Sequence, residues 1–318
     1  MIPVGDAGMK KAVVTGATGF IGNYVVKELC AHGTEVIAVV RKDRIDTENL
    51  SGDKIRIVHC NLDEIRQLET LIPDRDIDVV YHFGWQGVSD EDAQDANVQL
   101  SNIKATLDLI ETLPKIGCCT FIGAGSIHEL EAHYGMEENK IVTNLRYMYK
   151  TAKVAAHWMG KTLAGSLNIR FFWPIISNAY GVGEKSGRLI NTIIRSVFSG
   201  RSPDLTAGNQ YYDFIYVSDV ARAFYLIGEK GIPGTNYYIG SGKPKPLREY
   251  LETVGRVANT VNGSVIELGF GRIKSDIVYL PKEVFDVKTL CRDTGFTIEV
   301  PFETGIQKTA KWIKDSGE

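Results

Sequence analysis

One stretch constrains the fold of this chain more than any other. Val13-Val14-Thr15-Gly16-Ala17-Thr18-Gly19-Phe20-Ile21-Gly22 ends a β-branched run and opens an amphipathic one. Its glycines are spaced Gly-x-x-Gly-x-x-Gly. One permits a tight turn, one lets a pyrophosphate approach the backbone, and Gly22 allows close packing of helix on strand. The helix that follows offers unpaired N–H groups and a positive dipole end to phosphates. The spacing alone would also fit an ordinary structural turn. Standing first in a run of strands and helices, it marks a nucleotide site, with Gly16, Thr18, Gly19, Phe20, Ile21 and Gly22 as contacts.

That run continues through the first half. Strands are expected at Lys11 to Thr15, Glu35 to Val40, Ile55 to His59, Val79 to Phe83, Cys118 to Ile122 and Asn168 to Phe172. Between them helices are expected at Gly22 to His32, Leu62 to Leu71, Asn97 to Leu113 and Met148 to Leu163. Strands separated by helical patterns make βαβ units and a parallel sheet. Their near-continuous apolar character fits a sheet covered on both faces. The rhythm breaks after Trp173, and Asp213 to Glu229 reads as a strand leading into a helix. The fold class is therefore α/β: a Rossmann-type doubly wound parallel sheet with a smaller C-terminal α/β substrate domain. Residues 1–176, with 211–240 returning, form the first; 177–210 and 241–318 form the second.

Composition excludes several functions. The 318 residues carry 36 Lys and Arg against 39 Asp and Glu, a net charge of −3, with no long basic run. Nucleic acid and anionic membranes are therefore not expected partners. No stretch approaches the roughly 20 apolar residues of a membrane span. Residues 1–11 lack the apolar core of a secretory signal and read as a short flexible leader. Five cysteines, two of them adjacent (Cys118 and Cys119), argue for reduced thiols in a cytoplasm. The two histidines of His128-Glu129-Leu130-Glu131-Ala132-His133 are five apart and off one helical face, so this stretch reads as a polar loop and no metal is expected.

Cofactor and chemistry follow from three further places. The second strand ends Val39-Val40-Arg41-Lys42, without the carboxylate that binds a ribose 2′-OH. Two cations suit a 2′-phosphate, which favours NADP over NAD, although a solvated strand end would look the same. Tyr149 and Lys153 lie one helical turn apart and share a face. An ammonium beside a phenol lowers its pKa, making Tyr149 a candidate acid or base. Ser126 lies just past the fifth strand, at the carboxyl edge where doubly wound folds bind ligands.

With these residues the chain resembles the extended short-chain dehydrogenase/reductases, the nucleotide-sugar epimerase/dehydratase group. The likeness rests on the glycine turn, Tyr81-His82-Phe83-Gly84, Asn102-Ile103-Lys104-Ala105-Thr106, Ser126, Tyr149 and Lys153. It continues through Ser177-Asn178-Ala179-Tyr180-Gly181 and Asp213-Phe214-Ile215-Tyr216-Val217-Ser218-Asp219-Val220-Ala221, and Leu290 to Trp312 is similar to the family's final helix. The resemblance implies roles. Ser126 and Tyr149 would bind the reacting oxygen, and Lys153 would hold the nicotinamide ribose. Asn61 and Leu62 would lie by the adenine. Phe83, Gly84 and Trp85 would line the cofactor cleft, with Trp85 also facing substrate. Asn102 would be a structural or cofactor-side polar group. Pro174 to Ile176 would pass the nicotinamide, and Asn178 would reach the sugar or its diphosphate. The family also implies a homodimer through the helices at Asn97 to Leu113 and Met148 to Leu163. Surplus apolar residues there are Leu100, Ile103, Leu107, Ile110, Val154 and Trp158.

Departures narrow the activity. Family dehydratases carry Thr-Asp-Glu where this chain has Ser126-Ile127-His128, and Ile127 is neither acid nor base. His128 is a second proton donor or a satisfied histidine. Tyr212 replaces an arginine that grips a substrate phosphate, with Arg188 or Arg272 as substitutes. The expectation is an NADP-dependent reductase of a nucleotide-activated keto-sugar, with Tyr149 as proton donor. Alternatives are an NAD(P)-dependent 4-epimerase, a non-catalytic dinucleotide sensor, and a reductase of a carbonyl without a nucleotide.

Overall fold

The computed structural model describes residues 8–44, 47–88, 91–137, 145, 147–274 and 278–317. Its centre is a six-stranded parallel sheet: β1 (Lys11–Thr15), β2 (Glu35–Val40), β3 (Ile55–His59), β4 (Val79–His82), β5 (Thr120–Gly123) and β6 (Arg170–Phe172). Their spatial order is β3-β2-β1-β4-β5-β6, the doubly wound order in which the chain reverses beside β1. Register follows the apolar runs, with Val13 beside Ile37 and Val80. Successive residues of one strand enter opposite cores. Ala12 and Val14 pack with Val25, Leu29 and Phe224, whereas Val13 packs with Leu109, Ile110 and Phe121. That two-sided burial is why these strands lack alternation.

The first face is covered by α1 (Phe20–Ala31) and the returning segment. Short strand Phe214–Tyr216 pairs with Asn178–Tyr180 and leads into α6 (Val217–Lys230). The second face is covered by α2 (Ala96–Thr112) and α4 (Tyr147–Ser166). The inward side of α4 is Ala152, Ala156, Gly160 and Ala164, small enough to seat the helix closely on Ile110 and Phe171. A third core joins α5 (Leu189–Phe198), α7 (Leu247–Asn262) and α8 (Phe302–Ser316).

Several local expectations differ. Leu62 to Leu71 is a 3-10 turn (Leu62–Gln67) followed by a single α turn (Leu68–Leu71). Ile65 and Leu68 are both buried at a spacing of three, which the tighter helix places on one side. The stretch His128 to His133 is helical, within α3 (Ile127–Glu137), because Ile127, Glu129 and Ala132 are all drawn into the interior. The family-like final helix is two helices, Lys288–Thr294 and α8, separated by a segment around Pro301. Residues 1–7 of the expected leader lie outside the described residues. Met9 onward is tied down, with Met9 N–H donating to Glu229 and the Lys10 and Lys11 N–H groups to Asp78. Among the described residues no helix is long and apolar enough to cross a membrane, and no group of acids, histidines and cysteines could hold a metal.

Candidate active site

A cavity of about 570 Å³ opens at the carboxyl ends of β1, β4 and β5 and extends toward α5. The glycine turn forms one end. Gly16 takes φ +67°, and a Cβ there would stand 2.7 Å from the Gly84 nitrogen. A Cβ on Gly22 would overlap the Gly16 carbonyl oxygen. Gly19 caps α1 with no side-chain bond and no acid follows in the first turn, so the N–H groups that open the helix remain available to an anion. The turn thus lets an anion approach its backbone closely.

The neighbouring wall is fixed by buried polar groups. His82 links Thr15 Oγ1 at 2.7 Å to Thr106 Oγ1 at 3.1 Å. Burial, with the nearby Lys153 charge, pushes it down to about 3, so it is a neutral strut. Thr15 Oγ1 also accepts the Gly84 N–H. The Trp85 indole donates to Gln99 Oε1 at 3.0 Å. Asn102 clamps the Gln86 backbone by both its carbonyl and its amide, 2.9 and 2.7 Å. These bonds hold Trp85 over Lys153, whose Nζ lies 3.6 Å from the ring centroid.

Ser126, Tyr149 and Lys153 meet in the same cavity, all buried. Ser126 belongs to a two-residue strand beside Ile175–Ile176, and Tyr149 and Lys153 to the inner face of α4. Lys153 Nζ donates to Ala124 O at 3.1 Å. Burial lowers its pKa to about 7, against the opposing pull of Glu129. The expected lowering of the Tyr149 pKa by Lys153 is overturned. Burial pushes the phenol up to about 12, even though its hydrogen bond with Ser126 and the charge of Arg188 pull the other way. The amine instead faces the Ala124 carbonyl and the Trp85 ring. Tyr147, two residues before Tyr149, lies elsewhere: Lys150 Nζ sits 4.7 Å from its ring, and it stands outside the cavity lining.

Of the remaining candidates, Gly16, Gly19, Phe20, Ile21, Gly22, Phe83, Trp85, Ile176, His128, Asn178 and Arg188 also line the cavity. Thr18 lies in the turn, Gly84 packs against Leu62, and Pro174 O accepts the Gly125 N–H. Arg41 and Lys42 stand exposed at the end of β2, paired with Asp43 at 3.4 Å and Glu64 at 2.7 Å. Asn61 Oδ1 accepts the Lys42 N–H. Arg272 is a correction: it pairs with Asp204 on the surface at 3.1 Å, apart from the cavity lining, because its loop folds back over Gly269.

Beside Tyr149, His128 Nδ1 bonds Glu131 Oε2 at 2.7 Å, and Lys150 Nζ meets the same oxygen. Burial opposes ionisation of Glu131, but His128 and Lys150 pull it down to about 2. Tyr212 lines the wall where the resemblance implies an arginine. Arg188 remains there, 3.4 Å from the buried Glu184. Glu129, His157, Trp173, Glu184 and Asn191 are buried or half-buried polar groups in or behind this site that the sequence reading passed over. One signal was legible: Gly123 and Gly125 flank a single residue, and the Trp173 ring occupies the room their missing Cβ atoms leave.

The family model for the NAD dependent epimerase/dehydratase family matches residues 12–240. Among curated proteins, CDP-abequose synthase of Salmonella muenchen is 23% identical, covering 94% of this chain and 96% of that protein. The dTDP-4-dehydro-6-deoxy-D-allose reductase of Streptomyces bikiniensis is 25% identical, covering 96% of each. Among solved structures, the Bordetella bronchiseptica enzyme WbmF in complex with NAD+ superposes with a TM-score of 0.76 at 22% identity, covering 97% of this chain and 94% of that one.

Proposed function

The chain belongs to the NAD dependent epimerase/dehydratase family and is an enzyme of the extended short-chain dehydrogenase/reductase type, and we propose that it is an NADPH-dependent reductase of a nucleotide-linked keto-sugar. The observation that carries this reading is the meeting of Ser126, Tyr149 and Lys153 in a cavity whose far end is the glycine turn. The turn from Gly16 to Gly22 would hold the pyrophosphate, Asn61 and Leu62 the adenine, Arg41 and Lys42 the 2′-phosphate, and Phe83, Trp85, Lys153, Pro174 and Ile176 the nicotinamide end. When bound, the nicotinamide supplies the hydride.

The chain's own residues act on the oxygen. Ser126 and Tyr149 bind the carbonyl oxygen by hydrogen bonds. A phenol held near 12 keeps its proton at neutral pH and gives it to the oxygen as negative charge develops there. Lys153 and Ser126 then stabilise the phenolate. Elimination is disfavoured, since Ile127 stands buried where an acid or base is required. On the substrate side Arg188 takes the place of the missing arginine toward a diphosphate, with Asn178 and His128 beside the sugar. Residues 177–210 and 241–318 are assigned to substrate.

A second reading, an NAD-dependent 4-epimerase, is favoured by one observation. Arg41 and Lys42 already face carboxylates, which leaves less free charge for a 2′-phosphate. The complex of the relative WbmF with NAD+ points the same way. The test is the nucleotide that co-purifies with the chain, together with its affinities for NADPH and NADH. Empty protein that prefers NADPH supports the reductase, and tightly retained NAD supports the epimerase.

We assign the enzyme to the cytoplasm, consistent with free thiols at all five cysteines, and read it as a homodimer. Leu100 and Trp158 are each 61% exposed on α2 and α4, with Met159 beside them. Ile103, Leu107 and Val154 are half-buried, whereas Ile110 packs wholly against the sheet and leaves that set. Light scattering at micromolar concentration should give twice the chain mass, and a monomer mass would refute the dimer.

A further inference from the structure

Glu129 is only 5% exposed, lies behind Ser126, and has no task in the chemistry above. Its oxygens accept three hydrogen bonds. Oε1 takes the Ser126 backbone N–H at 2.9 Å and the Trp173 indole N–H at 2.9 Å, and Oε2 takes His157 Nδ1 at 3.0 Å. Donors on both oxygens are what an acceptor-only carboxylate requires. The arrangement is locked by packing. His157 lies one turn after Lys153 on α4, and its ring stacks on Trp173 with centroids 5.5 Å apart and planes 17° apart. Trp173 in turn fills the space over Gly123 and Gly125.

We propose that Glu129, held by His157, is a positioning residue of the catalytic centre: it fixes the backbone at Ser126 and supplies the negative charge that Lys153 faces inside the protein. The proposal rests on the reading of Ser126, Tyr149 and Lys153 as the reacting groups. Glu129 holds the Ser126 N–H, the Ser126 Oγ accepts the His128 N–H at 3.3 Å, and the Ser126 and Tyr149 hydroxyls are hydrogen-bonded to each other. Lys153 is surrounded by Glu129 from α3, Tyr149 from its own helix, neutral His82 from β4, and the rings of Trp85 and Trp173. Tyr149 is faced by Ser126, Arg188, Glu129 and the His128 ring. Glu129 thus touches Ser126 directly and acts on Tyr149 and Lys153 through its charge. Its charge opposes the burial that drives Lys153 toward the neutral amine.

Glu129→Gln keeps an oxygen for Ser126 and Trp173 but removes the charge. The readout is Lys153 itself, in the intact chain without nucleotide or substrate. With lysine labelled by carbon-13, the Lys153 Cε resonance, assigned by its absence in Lys153→Met, is followed through a pH titration. Its midpoint should fall by about one pH unit or more in Glu129→Gln, a tenfold change in ionisation. A midpoint equal to that of the unmodified chain would overturn the proposal. Should that variant fail to fold, Glu129→Met takes its place: its side chain is of similar length and carries no charge, so the Lys153 midpoint must again fall, and an unmoved midpoint overturns the proposal equally. Once a substrate is in hand, the basic limb of the pH–rate profile should move down with the midpoint. Failure of the keto-sugar reading would leave the titration result untouched.

Discussion

Replacing Lys153 by Met should stabilise the fold while removing activity, and the gain should depend on pH. Lys153 is fully buried, and burial holds its pKa at about 7 against the ordinary 10.5. The sign follows from proton uptake. Between those values the unfolded chain binds a proton that the folded chain does not, so stability rises with pH across that window. At about 1.4 kcal/mol per pH unit, the burden on the folded state is about 4 kcal/mol at pH 7 and about 2 kcal/mol at pH 9. Methionine has similar length and no charge, so it escapes this burden. It does lose the hydrogen bond to Ala124 O, about 1 kcal/mol, a loss that changes little with pH. Urea unfolding of both proteins at the two pH values isolates the electrostatic part. The advantage of the Met variant should shrink by about 2 kcal/mol from pH 7 to pH 9. An advantage that is constant, or that grows with pH, would refute the argument that Lys153 is a desolvated amine.

Alanine at both Arg41 and Lys42 should weaken NADPH by tenfold or more and NADH far less, since a charge-assisted hydrogen bond contributes about 1.5–3 kcal/mol; isothermal titration gives both affinities, and equal losses would sink the 2′-phosphate assignment. Gly22→Ala places a methyl group into the Gly16 carbonyl, so dinucleotide binding measured by fluorescence should fall by at least tenfold, about 1.4 kcal/mol. Unchanged binding in that variant would show that the turn does not hold the pyrophosphate.

The cofactor half of this protein was legible because its physics is local. The turn from Gly16 to Gly22 needs missing Cβ atoms at fixed spacing, and the six strands are marked by β-branched runs buried on both faces. Tyr149 and Lys153 share a helix, so their spacing alone put them on one face. Apart from the two glycines that make room for Trp173, the surroundings of that pair were not legible. Glu129 and Trp173 are 44 positions apart, and nothing in either stretch announces that the indole and the carboxylate will meet. Residues from distant parts of the chain, Trp85 and Arg188 among them, also enclose Tyr149, so a rule about neighbouring charges pointed the wrong way on its pKa. Arg272 failed for a related reason: a cation in an irregular segment has no periodicity to say which way it faces, and the nearest carboxylate, Asp204, takes it. Helix α3 carries no apolar stripe in the sequence because its inward face is partly polar, Glu129 among Ile127 and Ala132.

The proposed function makes Tyr149 the proton donor of a hydride-transfer reaction. It is tested most directly by single-turnover loss of NADPH absorbance with a panel of nucleotide-linked 4-keto sugars, comparing Tyr149→Phe with Tyr147→Phe. The first substitution keeps the ring and its packing on Trp85 but removes the acid, so the rate should fall about 10²–10⁴-fold while nucleotide binding survives. The second should leave the rate near that of the unmodified enzyme, because Tyr147 lies outside the cavity lining. Full activity in Tyr149→Phe and its loss in Tyr147→Phe would contradict the assignment.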